Sequence, residues 1–194
     1  MRASRIFLAL SLVAGTAAVA APVTYDIDVL HTHPSFEADH FGGLSVWSGK
    51  LNASGGKIVL DREAKAGTVD VSIDTSSVLT GVPDLDKHLR SKEFFDVEKY
   101  PTATYQGKLA KFNKDGAPTE VQGELTMHGV TKPVTLTIRT FKCQPHPMKA
   151  DKNVCGADAA TTINREDFGM VWGKNFGFDM KVRLAIQVEA TTPK

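Results

Sequence analysis

Hydrophobic and polar residues alternate singly along most of the chain, and the clearest run spans 121–138, VQGELTMHGVTKPVTLTI. Val121, Gly123, Leu125 and Met127 fall on one side; Gln122, Glu124, Thr126 and His128 fall on the other. After His128 and Gly129 the pattern restarts, with Val134, Leu136 and Ile138 against Thr135, Thr137 and Arg139. A period of two marks a strand with one dry face and one wet face. Two such runs around a short glycine-containing break predict an antiparallel hairpin, with its apolar side chains facing an interior.

The same alternation predicts further strands. Tyr25, Ile27 and Val29 alternate with Asp26 and Asp28. Val69, Val71 and Ile73 alternate with Asp70, Ser72 and Asp74. Similar runs cover Thr102–Leu109 and Val182–Glu189, with candidate strands around Leu44–Leu60 and Ala157–Ile163. Glycine-rich or polar turn signals separate them. About eight strands with one-sided burial imply one shared core, as in a closed antiparallel barrel or a sandwich. An eight-stranded barrel can be filled by its side chains or hold one apolar ligand.

Two stretches leave this pattern. From Asp84 to Asp96, Leu85, Leu89 and Phe94 or Phe95 recur at helical spacing behind Pro83. This predicts a short helix near residues 84–95, capped by Asp84 or a neighbour, because proline is favoured where a helix starts. From Arg165 to Asp179, three glycines accompany Phe168, Trp172, Phe176 and Phe178. Such a loop either plugs a barrel mouth or lines a ligand entrance.

The amino terminus reads differently. Arg2 and Arg5 precede an apolar run from Ile6 to Val19, and Ala18, Val19 and Ala20 offer a small-residue cleavage site. This is the pattern of a secretory signal peptide over residues 1–20, with a single domain over 21–194. Export would place the domain in the periplasm. The apolar run is shorter than the ~20 residues of a spanning helix, and no later stretch suits stable membrane insertion. Without Arg2 and Arg5 the chain keeps 21 basic against 22 acidic residues, interspersed. No basic block marks a nucleic-acid partner. In an oxidising compartment Cys143 and Cys155 predict a disulfide.

Candidate chemistry is sparse. His31 and His33 could share a strand face as metal ligands, but alternation puts His40 on the other face. There is no nucleophile elbow, no free Cys beside a His and no phosphate-binding glycine loop. No catalytic residue and no metal site is assigned, which favours binding over catalysis.

Four segments together resemble the YceI-like family of exported bacterial proteins. They are Tyr25 to Asp28 with His31, Thr32 and Phe36; Asp86 to Asp96 with Tyr100 and Pro101; GELTMHGVTKPV from Gly123 to Val134; and Ile163 to Arg165 with Asp167 to Gly169. Leu85 stands where the family often has a basic residue. The resemblance implies a lipocalin-like, eight-stranded barrel around a long apolar tunnel. It implies an isoprenoid ligand, a polyprenyl phosphate or a quinone with a prenyl tail, no other cofactor, and often a homodimer.

The expected function is therefore a periplasmic carrier that buries an isoprenoid lipid. Phe36, Phe41, Trp47, Leu89, Phe94, Tyr105, Met127, Phe168 and Trp172 are candidate wall or gate residues. His31, His88, Arg90 and Arg165 are candidates for the head group. Two alternatives stay open. One is a barrel enzyme acting on a small apolar substrate with a His as base, and the other is a packed structural or interaction module.

Overall fold

In the computed structural model, which describes residues 21–193, the alternating runs become nine strand segments. They are β1 (Val23–Ile27), β2 (His33–His40), β3 (Ser45–Asp61), β4 (Ala66–Leu79), β5 (Thr102–Phe112), β6 (Pro118–Met127), β7 (Val130–Pro145), β8 (Asn153–Asn164) and β9 (Lys181–Thr191). Every pairing is antiparallel, and each strand from β3 to β9 pairs with the next. Closure falls to β1 and β2, which both pair with β3 on one side and β9 on the other. The two segments are successive pieces of one stave, so nine segments make a closed eight-stranded barrel. The signal peptide expected over residues 1–20 lies outside the described residues.

The break in that stave corrects the expectation that Val29 continues the first strand; Val29 is exposed. The Asp28 carboxylate accepts from the Leu30 amide at 3.0 Å and contacts His31 Nδ1 at 2.9 Å, which folds the chain outward. Thr32 then re-enters. Its hydroxyl donates to Glu189 O at 3.2 Å and accepts from Glu189 N at 3.1 Å, standing in for a backbone pair.

The 121–138 hairpin forms as expected. Met127 pairs with Val130 across His128 (φ 52°) and Gly129 (φ 74°), and two left-handed residues in succession suit a tight hairpin turn. Gly129 also admits the Tyr100 ring, which lies 2.6 Å from where a Cβ would stand. Cys143 and Cys155 face each other across β7 and β8 and form the expected disulfide.

The helix, α1 (Pro83–Arg90), is shorter than expected and is not capped by Asp84. Proline opens it behind Val82, which makes no side-chain cap. Asp86 instead accepts from the Thr80 amide and hydroxyl, both at 2.6 Å. After Arg90 the chain turns back, with Phe95 N bonding Leu89 O and Asp96 N bonding Ser91 O. That reversal puts Phe94 and Phe95 on the side of Leu89. Two 3-10 turns, Arg165–Phe168 and Lys174–Phe176, organise the aromatic loop before β9.

The barrel interior divides into two halves. At the end away from α1, Tyr25, Leu60, Leu109, Val121, Leu136 and Ala190 are buried together. At the α1 end the strands enclose a hollow.

Candidate binding cavity

The hollow measures about 320 Å³. Ile73, Ala103, Leu125, Ile163, Val182 and Leu184 project into it from the strands, while Leu85, Leu89, Phe94 and Phe95 close it from α1 and the following turn. Of the candidate wall residues, Phe36, Phe41, Trp47, Leu89, Phe94, Met127 and Trp172 line it. Tyr105 and Phe168 do not. Tyr105 sits one pair deeper than Ala103, with its hydroxyl donating to Val134 O at 2.9 Å. Its ring lies on Gly123, where a Cβ would stand 2.8 Å from Tyr105 Cζ. Burial pushes the Tyr105 phenol up to about 12. Tyr105 and the packed half thus lie outside the lining of the hollow. Phe168 is 1% exposed and packs in the core, plugging the barrel beside the cavity.

A string of rings surrounds the mouth. Trp47 meets His40 at 5.9 Å between centroids, His40 meets Phe178 at 5.6 Å, and Phe178 meets Trp172 at 5.7 Å. Trp172 then meets His88 at 4.7 Å and Phe94 at 5.7 Å. This joins the β2–β3 hairpin, the aromatic loop and α1 into one rim. The loop thus combines both expected roles: Phe168 plugs, while Trp172 and Phe178 line the entrance.

The polar groups at the cavity are few. Arg165 is buried, and its guanidinium donates to Met170 O at 2.9 Å and Trp172 O at 2.6 Å. Its Cζ lies 5.4 Å from the Phe94 ring centroid. Among the described residues no carboxylate forms an ion pair with it; neighbouring Glu166 pairs with Lys174. Burial lowers its pKa from the usual arginine value, yet an arginine stays charged throughout the physiological range. The cavity wall therefore carries one buried, unneutralised cation. His88 Nε2 contacts Glu93 at 2.6 Å and presents its ring edgewise to Trp172.

The other head-group candidates lie elsewhere. Arg90 donates to Ser76 O and Val78 O, each at 2.8 Å, and ties α1 to β4. His31 pairs with Asp28 beside a separate groove of mixed lining formed with β7, β8 and β9. His33 contacts Asn52 and Leu30 O, and His40 alone of these three histidines lines the cavity. Among the described residues no cluster of three metal-ligating side chains occurs.

Two carboxylates fasten the mouth. Asp39 accepts from Asp179 N, Gly42 N and Gly43 N, at 2.9, 2.9 and 2.5 Å, and joins the hairpin to the aromatic loop. The Asp179 amide, with the two glycine amides, holds Asp39 below the usual aspartate range. The Thr80 hydroxyl does the same for Asp86. Asp39 was not legible as a staple, and Phe178 was legible only as one aromatic of the loop that plugs the mouth or lines the entrance. Pro34, Ala38, Leu125, Val182 and Leu184 could have been found, since they share strand parity with Phe36 or Met127 or continue one alternating run.

Among the described residues, the antiparallel barrel encloses an apolar cavity with a buried cation in its wall and an aromatic rim at its mouth, a geometry that suits a small or slender apolar molecule. The YceI-like domain model matches residues 25–190, and the chain belongs to that family. A UPF0312 protein of Pseudomonas aeruginosa is 36% identical over 154 residues, 79% of this chain and 78% of the relative. Among solved structures, Burkholderia cenocepacia BcnA superposes with a TM-score of 0.65 at 20% identity, covering 84% of this chain and 99% of that one. A polyisoprenoid binding domain from Saccharophagus degradans gives 0.60 at 16% identity, covering 88% and 99%. These two likenesses concern the fold.

Proposed function

We propose that this protein is a periplasmic carrier that sequesters an isoprenoid lipid, a polyprenyl phosphate or a prenyl-tailed quinone, in the hollow half of its barrel. The observation that carries this reading is an apolar cavity whose wall holds one cation without a carboxylate partner. Each CH₂ equivalent moved from water into such a cavity gains about 0.8 kcal/mol. Arg165 supplies donors for a phosphate or a quinone oxygen at the mouth, with His88 beside it. The name of the Saccharophagus degradans domain supports the ligand class. The amino-terminal pattern of residues 1–20 supports export.

The cavity volume of about 320 Å³ is near the lower bound of the range for ligand sites. A short prenyl tail fits the hollow, and a longer one must displace Tyr105 or fold back at the mouth. Organic extraction of the purified mature protein followed by mass spectrometry tests the proposal. An isoprenoid in the extract, or saturable uptake of added ubiquinone or polyprenyl phosphate, is expected. No lipid in the extract and no uptake of either would overturn it.

A further inference from the structure

Three loop tips at the cavity mouth differ in composition from the opposite end of the barrel. Segments 41–44, 79–83 and 171–178 each contribute side chains at or beside the mouth, and Lys174 is the one Lys, Arg, Asp or Glu among them, whereas the charges of this end gather on α1 and the turn after it, from Asp84 to Asp96. The turns at the far end, 62–65, 113–117 and 146–152, each carry at least two such charges. These loop tips also hold large exposed apolar side chains. Leu44 is 77% exposed, Phe176 67% and Phe41 55%, with Val171 at 50%. Exposed Val29, Leu30 and Met148 lie away from the mouth, in the 28–31 break and the 146–152 turn.

These exposed residues adjoin the cavity wall. The Phe41 ring is 5.0 Å from Phe178, and Phe176 is 6.1 Å from Trp172; Phe178 and Trp172 both line the hollow. A continuous apolar surface therefore runs from the cavity interior, over the rings, to side chains on turn tips. Contiguous exposed apolar patches mark interaction sites. A protein partner would need a matching shape. A bilayer does not, and turn-tip leucine and phenylalanine side chains suit shallow insertion at the headgroup boundary.

We infer that the mouth docks on a lipid bilayer, with Phe41, Leu44, Val171 and Phe176 entering its interface, so that cavity and membrane interior join without an aqueous gap. This rests on the reading of the cavity as a lipid site. Docking without a spanning segment accords with the finding that no helix among the described residues is long and apolar enough to cross a membrane.

The test is flotation of the purified mature protein with vesicles of phosphatidylethanolamine and phosphatidylglycerol. Leu44 and Phe176 are solvent-facing and do not line the cavity, so the double variant Leu44→Ser, Phe176→Ser should keep its thermal midpoint. Wild-type protein should float, and the double variant's partitioning should fall at least about tenfold. Raising the salt should change wild-type binding little, because the inserted residues are uncharged. Failure of the wild type to float, or equal flotation of the variant, would overturn the docking face. So would a self-association in the ultracentrifuge that the double substitution abolishes, which would assign the surface to a second copy. Lipid content is measured on the same preparations. Loaded protein that does not float defeats docking alone, whereas floating protein that never carries or takes up an isoprenoid defeats the carrier reading alone.

Discussion

The two halves of the barrel share the same strands and differ in what fills them. At the far half, Leu60, Leu109, Val121 and Leu136 meet across the interior, and Ala190 is 1% exposed. Gly67 lets this happen, since a Cβ there would stand 2.6 Å from Leu109 Cδ1. At the near half, Ile73, Leu125 and Leu184 point inward just as regularly but meet a void. The difference lies in the ends. The far end is closed by tight turns and the Cys143–Cys155 cross-link, whereas α1 and the aromatic loop stand over the near end as a separate lid. Stability and binding are thus assigned to different lengths of the same strands.

The comparison breaks most visibly under truncation. Leu60→Ala in the packed half should cost about 2–5 kcal/mol, because the surroundings cannot collapse into the space. Leu184→Ala should cost less, about 1 kcal/mol, since Leu184 already borders a void. Urea unfolding of the two variants measures both, and equal losses would erase the distinction between the halves. Removing the disulfide with Cys143→Ser and Cys155→Ser should cost about 3 kcal/mol and leave isoprenoid loading unchanged. Loss of loading in that variant would mean that the far end shapes the cavity after all.

Arg165→Met sharpens the near half. It removes the donors to Met170 O and Trp172 O, a cost of about 1–3 kcal/mol, and it removes the buried charge. Uptake of polyprenyl phosphate should fall more than uptake of the neutral alcohol of the same length, as followed by mass spectrometry of the two loaded forms. Equal losses would indicate that Arg165 serves only the loop. Tyr105→Phe should cost as little as Leu184→Ala, about 1 kcal/mol in urea unfolding, through its hydroxyl bond to Val134 O.

Acid should loosen the mouth. Asp39 and Asp86 titrate below the ordinary value of 3.8 in the folded protein, so their contribution to holding the lid is complete above that value. It is lost as the pH falls through their lowered folded values. Hydrogen exchange at segments 41–44 and 80–86 should stay constant from neutral pH down to about pH 4, after correction for intrinsic rates, and accelerate below it. Faster opening already between pH 7 and pH 5 would point to another titrating group.

Much of the barrel was legible because one-sided burial writes itself into strands as strict alternation. Val121 to Ile138 predicted its own hairpin, down to the His128–Gly129 turn. What alternation cannot express is a stave made of two segments. The break at Asp28 is a local side-chain event, and Thr32 repairs it by bonding Glu189, a residue 157 positions away. Parity also says nothing about whether an inward side chain meets another side chain or space. Tyr105 and Met127 both point inward; one lies on Gly123 and ends the hollow, the other lines it. The charged candidates divided for a similar reason. Arg90 and Arg165 look alike in sequence, yet the carbonyls of Ser76 and Val78 draw Arg90 onto β4, while those of Met170 and Trp172 hold Arg165 at the cavity.

The central claim is that the hollow half, and no other part of the molecule, takes the isoprenoid. Trp47 and Trp172 both line it and report on it directly. Delipidated protein titrated with a short-chain ubiquinone should show saturable quenching of tryptophan fluorescence at one quinone per chain. Ala103→Phe, which adds a ring inside the cavity, should abolish that quenching while the protein stays folded. Quenching that never saturates, or that persists unchanged in folded Ala103→Phe protein, would contradict the account.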